Sequence, residues 1–351
     1  MPFLSVIIPA YNVEKFLPDA IESALRQTEP DFELIVVDDG STDGTGAICD
    51  RYAARDARVR VVHQKNAGAH AARNAAIELA TGEYLYFMDG DDWAEPGMLA
   101  AMRDVAEKTR ADLVIFGFYI DTYHGEDASR SEKKAHPDAF YPDAASFRRA
   151  AAGLFDRNLL YTPWNKLFRA SRVRAENIRF RPTMWDDFPF NLEYARDVES
   201  VAVDARAFYH FNRGLRASET SRYFPGMREK REEEHRALVE LYAHWGLSDD
   251  PDAREFLARR QIERTFGVLE NIACKNSPLT PREKRAAMRE IIRSEEVRES
   301  LARARPRSPY MRLMLAIVAT GNGELTYLLA RTISFVKARC ARAFTYLKEH
   351  R

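Results

Sequence analysis

The opening third of the chain alternates short apolar runs with amphipathic stretches. Apolar runs of strand length fall at residues 4–8, 34–37, 59–62, 84–88 and 113–118. Between them, apolar positions recur at the three-to-four spacing of a helix, as in residues 14–27, where Phe16, Leu17, Ile21, Ala24 and Leu25 share one face. Further helices are expected at 45–52, 68–80 and 99–108. Strand and helix in regular alternation imply an α/β fold with a doubly wound, mostly parallel sheet flanked by helices. Residues 121–140 are polar and charged and read as a surface loop. After Tyr141 the pattern is mixed α+β, with strand-like runs at 201–203 and 208–211. From Pro225 onward it is helical throughout, at 227–245, 251–274 and 281–295, with a last pair after Pro309. Pro251, Pro281 and Pro309 stand where N1 prolines open helices. The expected division is an α/β region over 1–224, in two parts at 1–118 and 119–224, and an α-helical C-terminal region over 225–351.

Composition narrows the picture mainly by exclusion. Lys plus Arg and Asp plus Glu number 53 each, which gives no electrostatic footprint of a nucleic-acid binder. Three scattered cysteines suit a reducing compartment and no disulfide framework. No basic-then-apolar leader opens the chain, and no run is long enough to span a bilayer, so a cytoplasmic protein is expected. The tail is locally basic, with Arg303, Arg305, Arg307, Arg312 and Arg331 among its cations. Leu328, Leu329, Ile333, Phe335, Val336, Phe344 and Leu347 lie among them. A solvated or packed helical face and a peripheral contact with the inner face of the cell membrane both fit that pattern.

In a doubly wound sheet, ligands bind beyond the carboxyl ends of the strands. Each unusual polar cluster here lies at such an end: Pro9-Ala10-Tyr11-Asn12, Asp38-Asp39-Gly40-Ser41, Asn66-Ala67-Gly68 with Arg73-Asn74 a turn later, and Asp89-Gly90-Asp91-Asp92. Alternate acids on an extended segment point the same way. Asp89 and Asp91 are therefore expected to share a hard cation, Mg²⁺ or Mn²⁺, with coordination sites left for phosphate. A plain turn followed by a helix cap accounts for the same four residues.

These segments carry a resemblance. Ser-Val-Ile-Ile-Pro-Ala-Tyr-Asn, Val-Val-Asp-Asp-Gly-Ser-Thr-Asp-Gly-Thr, Asn-Ala-Gly-Ala-His-Ala-Ala-Arg-Asn and Phe-Met-Asp-Gly-Asp-Asp look like successive signatures of family 2 glycosyltransferases of the GT-A fold. The match covers residues 3–118 closely and continues more weakly to about residue 220. It implies a nucleotide-binding half over 1–118 and an acceptor-side half over 119–224. It also implies inverting transfer of a sugar from a nucleotide-diphosphate donor, usually UDP-linked, to a glycan or lipid-linked glycan in cell-surface polysaccharide synthesis. On that reading Pro9, Tyr11 and Asn12 lie at the nucleotide, with Tyr11 stacking on the base. Asp39 accepts the uracil N3–H, while Asp38 holds the turn to Ser41. Arg73 neutralises phosphate or bonds the base. Asp91 is the first metal ligand, Asp89 supports it or the ribose, and Asp92 caps the next helix or orients the sugar.

Inversion needs a carboxylate that takes the acceptor's proton from the face opposite the leaving group. Asp187 in Trp185-Asp186-Asp187 is the candidate, a helix N-cap being its alternative. The family usually shows Glu-Asp here, so the departure falls on Asp186. Arg213 is a candidate phosphate clamp in an element with His210, Arg216 and Ser218. Trp164 and Lys166 are placed on the acceptor side, Trp164 with a core role as its alternative; His63 and His70 serve local hydrogen bonding. Two other classes share a sheet of this type. A sugar nucleotidyltransferase needs a basic Gly-rich N-terminal loop, which Pro9-Ala-Tyr-Asn is not. A non-catalytic nucleotide-sugar-binding module needs no base.

Overall fold

The computed structural model describes residues 2–123, 128–214 and 223–339, with backbone alone at 128–129 and 335–339. The chain forms two compact units, Met1–Arg216 and Ala217–Arg351. The sequence pattern had set the division at 224/225, a few residues later.

The first unit is built on a ten-stranded sheet. Its strands are β1 (Leu4–Ala10), β2 (Phe32–Asp38), β3 (Val59–His63), β4 (Tyr84–Phe87), β5 (Trp93–Ala94), β6 (Leu113–Tyr123), β7 (Ala128–Lys134), β8 (Ala139–Tyr141), β9 (Lys166–Arg169) and β10 (Val201–Arg213). Along the main path the order is β3-β2-β1-β4-β9-β6-β10-β5, with β7 beside β6 and β8 beside β10. β3, β2, β1 and β4 pair in parallel, as do β6 and β10, while β9 and β5 run antiparallel to their neighbours. β1, β2 and β4 are almost wholly apolar because both sheet faces are covered. The helices are α1 (Leu17–Leu25), α2 (Thr45–Arg55), α3 (Ala69–Leu79), α4 (Met98–Thr109), α5 (Ala144–Asp156), α6 (Ala170–Ala175) and α7 (Asp187–Arg196).

One expectation needs correction. Residues 121–140 are not a plain surface loop, since they hold the end of β6, then β7 and β8. β7 pairs antiparallel with β6 at a sheet edge. Charged residues such as Glu132, Lys133 and Lys134 are at home on an edge strand, so polarity alone does not identify a loop.

An aromatic knot holds the sheet beneath the site. Phe180 stacks on Phe190 at 3.9 Å, and Phe87 meets both rings edge-on at 5.1 and 5.6 Å. Phe168 closes the group against Phe87 and Phe190. The knot fixes the start of α7 against the end of β4, and both of those ends carry candidate site acids.

The second unit contains α8 (Met227–His244), α9 (Pro251–Ala273), α10 (Pro281–Arg293), α11 (Glu295–Arg303), α12 (Pro309–Ala319) and α13 (Gly323–Arg339). The three prolines open α9, α10 and α12, behind Asp250, Thr280 and Ser308, whose side chains cap the first turns. The single helix expected at 281–295 breaks at Ser294, which caps α11. Ile262, Phe266, Leu269, Met288, Ile292, Val297, Met314 and Val318 form its core. Among the described residues no helix is long and apolar enough to cross a membrane.

Phe190→Ala would open a cavity inside the aromatic knot. A loss of about 3–5 kcal/mol in unfolding free energy is expected in urea titration; a loss below about 1 kcal/mol would show that the knot carries no load.

Candidate active site

The site forms where β1, β2 and β4 end and where α3 and α7 begin. Tyr11 leaves β1 with 45% of its surface exposed, so its ring is open to a flat ligand. Asn12 follows at φ +50° and accepts the Thr42 N–H at 2.8 Å, while its own N–H donates to Ser41 Oγ. These bonds tie the β1 end to the Asp38–Thr42 turn. Pro9 stays in β1, and a Cβ on Gly90 would lie 3.2 Å from its carbonyl oxygen. Gly90 thus lets the acid loop approach β1 closely.

Asp38 and Asp39 divide their work. Asp38 Oδ1 accepts the Ser41 N–H at 3.0 Å, which is the turn expected of it. Its Oδ2 faces His63 Nδ1 at 2.8 Å, and Asp50 holds the other ring nitrogen at 3.0 Å. Asp39 is almost fully buried and accepts from Gln64 Nε2 and from the Ala67 and Gly68 N–H groups, at 2.7, 2.9 and 2.8 Å. It anchors the 64–68 loop at the candidate base position. Gly40 has φ +72°, and a Cβ there would sit 2.7 Å from the Asn66 nitrogen, so no other residue fits that turn.

The acid loop departs from expectation. β4 stops at Phe87, and the chain then turns, with the Asp92 N–H donating to the Asp89 carbonyl at 3.2 Å. Strand alternation therefore does not govern Asp89 and Asp91. Both remain partly exposed, whereas Asp92 is buried. Asp92 accepts the Tyr209 hydroxyl at 2.5 Å and the Asn212 N–H at 2.8 Å. It caps no helix, since Gly97 occupies that position for α4. Burial, then the charges of Asp89 and Asp91, push its carboxyl well above the usual range, against the pull of Tyr209 and Asn212. Asp89 and Asp91 are left as the acids that face solvent.

Tyr209 and Asn212 are the residues that sequence reasoning missed. The Tyr209 oxygen also accepts the Asp89 N–H at 3.1 Å, and Asn212 Nδ2 donates to the Asp91 carbonyl at 2.7 Å. Together they strap the acid loop to β10 across some 120 residues of sequence. No local pattern announces such a contact. Arg213 follows Asn212 at the end of β10 and stands exposed. Arg216 and Ser218 lie outside the described residues. Trp164 is core, stacked on Tyr209 at 4.7 Å. Lys166 does not line an open acceptor side; it is fully buried and donates to the Thr162 carbonyl and to Asn165 Oδ1.

Arg73 joins the two halves of the site. It projects from α3, is 6% exposed, and lies over the Phe180 ring. Its guanidinium donates to Asp89 Oδ1 at 2.8 Å and to Asp186 Oδ2 at 3.1 Å, and Nη1 lies 3.2 Å from Asp187 Oδ1. Burial works against its charge, but Asp187, Asp89 and Asp186 more than restore it and raise its pKa. The groups expected to meet phosphate or base are thus committed to carboxylates. Asp187 is the first residue of α7, not its cap, and Asp186 in the cap position gives its carboxylate to Arg73 instead of to the helix. Trp185 just before them has φ +56°, a strained conformation for a bulky residue. Burial, with Asp89 and Asp186 nearby, pushes Asp187 up to about 7 against the opposing charges of Arg73 and Lys166. Asp187 Oδ1 is buried without an aligned hydrogen-bond donor, an unusual state for a carboxylate oxygen.

Strand-end clusters on a sheet of this order, with a half-exposed acid loop and a carboxylate of raised pKa beside it, form one candidate site. The glycosyl transferase family 2 model matches residues 5–174. The chain is 32% identical over 309 residues to the uncharacterized glycosyltransferase EpsJ of Bacillus subtilis, covering 86% of each chain. It is 30% identical over 211 residues to the cholesterol galactosyltransferase of Borreliella burgdorferi, covering 59% of each. Residues 1–349 of TarS from S. aureus, solved with UDP-GlcNAc, align with a TM-score of 0.63 at 21% identity, covering 96% of this chain and 91% of that one. The chain belongs to glycosyl transferase family 2 and is a glycosyltransferase.

Tyr209→Phe removes one hydroxyl that serves both Asp89 and Asp92. A stability loss of about 1–3 kcal/mol is expected, with weakened donor binding. Unchanged donor affinity would show that the strap does not shape the loop. His63 gives a pH signature. Its pKa is raised by Asp38 and Asp50, so its stabilisation is complete below the unfolded value and fades as pH rises through the folded one. The melting-temperature gap between wild type and His63→Gln should therefore be widest in mild acid and narrow as pH rises above the ordinary imidazole value of about 6.5.

Proposed function

We propose that this enzyme transfers a sugar, with inversion, from a UDP-sugar to a hydroxyl of a glycan or lipid-linked glycan in surface polysaccharide synthesis. The observation that carries the reading is the single Arg73 guanidinium, which reaches Asp89 on the acid loop and Asp187 at the start of α7. Leaving-group binding and proton removal need to sit that close together if they act on one anomeric carbon. TarS, solved with UDP-GlcNAc and with UDP, supports a uracil nucleotide as donor. The putative teichuronic acid glycosyltransferase TuaG of Bacillus subtilis supports a polysaccharide setting.

Tyr11 stacks on the base, and Asp39, beside Pro9 and Asn12, selects uracil. The acceptor oxygen attacks the anomeric carbon, the bond to the diphosphate breaks, and UDP leaves. Asp187 takes the acceptor's proton, as its raised pKa suits it to do near neutral pH. Arg73 holds Asp187 and Asp89 in place, and Arg213, next after Asn212 at the end of β10, meets phosphate.

No group of three or more His, Cys, Asp or Glu side chains among the described residues could hold a metal by itself. That donor set still fits Mg²⁺ or Mn²⁺ in this chemistry, because such ions take one or two protein carboxylates and complete their shell with phosphate and water. Asp91 and Asp89 would hold it. When bound, the cation offsets charge on the departing diphosphate as a Lewis acid.

The test is release of UDP from UDP-sugars with Mn²⁺, followed by transfer to an acceptor. Asp91→Asn is expected to abolish both. Asp187→Asn should retain UDP binding and lose transfer by about 10²–10⁴-fold. Lost UDP binding would make Asp187 structural, and normal hydrolysis by Asp91→Asn would remove the metal assignment. In wild type, the rate should fall with acid as Asp187 protonates below about pH 7.

A further inference from the structure

The helical unit contains a cavity of about 630 Å³, lined wholly by its own residues. That volume falls in the range of small-ligand sites. Three helices supply most of its walls, at helical spacing. Arg228, Arg231, His235 and Val239 mark one face of α8, and Arg254, Leu257, Gln261, Arg264 and Val268 one face of α9. α11 adds Val297, Ser300 and Arg303.

The lining holds six arginines, Arg236 being the sixth, against three glutamates. Glu232 pairs with Arg228 at 2.9 Å and Glu290, outside the lining, with the same arginine at 2.8 Å; Asp249 pairs with Arg254, and Glu299 with Arg303 at 3.4 Å. Glu296, the third, stands at the start of α11. Glu234, behind the lining, is shared by Arg231 at 2.7 Å and the buried Arg264 at 3.7 Å. Arg264 also lies 3.4 Å from His235 Nδ1. Burial and Arg264 push His235 down to about 4, so a neutral imidazole faces the cavity beside the guanidiniums. Between the polar groups lie Leu257, Ala258, Val268, Ile291 and Val297. Guanidinium forks match phosphate oxygens two at a time, and an apolar wall beside them suits the body that carries the phosphate.

We propose that this cavity is a ligand site of the helical unit for a phosphate monoester or diphosphate borne on a partly apolar body. The glycosyltransferase chemistry of the other unit does not call on it, and none of its residues enters the donor site. A free phosphorylated metabolite and a lipid phosphate headgroup present the same chemistry.

The full chain is titrated calorimetrically with inorganic pyrophosphate in EDTA, and separately floated with vesicles of phosphatidylcholine with and without phosphatidic acid. The variant is Arg236→Glu with Arg303→Glu, both exposed positions. Asp91→Asn controls for the donor site, and a circular dichroism melt checks folding. Pyrophosphate binding that weakens by about tenfold or more in the double variant, and survives Asp91→Asn, supports a soluble ligand. Flotation that needs phosphatidic acid and is lost in the double variant, without pyrophosphate binding, supports a lipid-borne phosphate. The proposal fails if wild type binds neither probe, if the double variant binds undiminished, or if Asp91→Asn abolishes binding.

Discussion

The site depends on one buried cation. A guanidinium taken out of water is costly unless its donors meet carboxylates, and Arg73 meets three. Those carboxylates come from the loop after β4 and from the start of α7, and the cation comes from α3. None of the three elements can shift without leaving a charge buried and unpaired. Their geometry is thus over-determined, which is what positioning chemistry requires. The strained Trp185 and the misaligned Asp187 oxygen sit inside this constraint, held there by the aromatic knot beneath them.

A second constraint sorts the acids of the loop. Three carboxylates within four residues repel one another, and the structure resolves this by burying Asp92 against Tyr209 and Asn212. Its raised pKa lessens the negative charge on the loop and leaves Asp89 and Asp91 toward solvent. The strap also joins the two parts of the sheet, since β10 lies at the far side from β1. The loop responds to both parts at once.

The parts of the fold legible in the sequence were those fixed by local physics. Apolar runs longer than turns had to be strands, and Pro251, Pro281 and Pro309 had to open helices, because each signal acts within a few residues. The hairpin at β7 was not legible, because a charged edge strand and a polar loop share a composition. The break at Ser294 escaped for a similar reason: a capping serine costs a helical pattern only one position.

For the site, the sequence by itself determined the cast. Clusters at successive strand ends, and the family signatures they spell, placed Tyr11, Asp39, Arg73, Asp89, Asp91 and Asp187 together as candidates. Only the tertiary structure decided whom each one touches. Arg73 and Asp187 are 114 positions apart, and Asp92 and Tyr209 are 117. Contacts at that separation leave no periodicity, so Arg73 could be read from the sequence as a free phosphate ligand when it is the tie between the acid loop and the start of α7. Burial decides charge state in the same way: Asp89, Asp91 and Asp92 are one residue type in one short segment, and only packing makes them different.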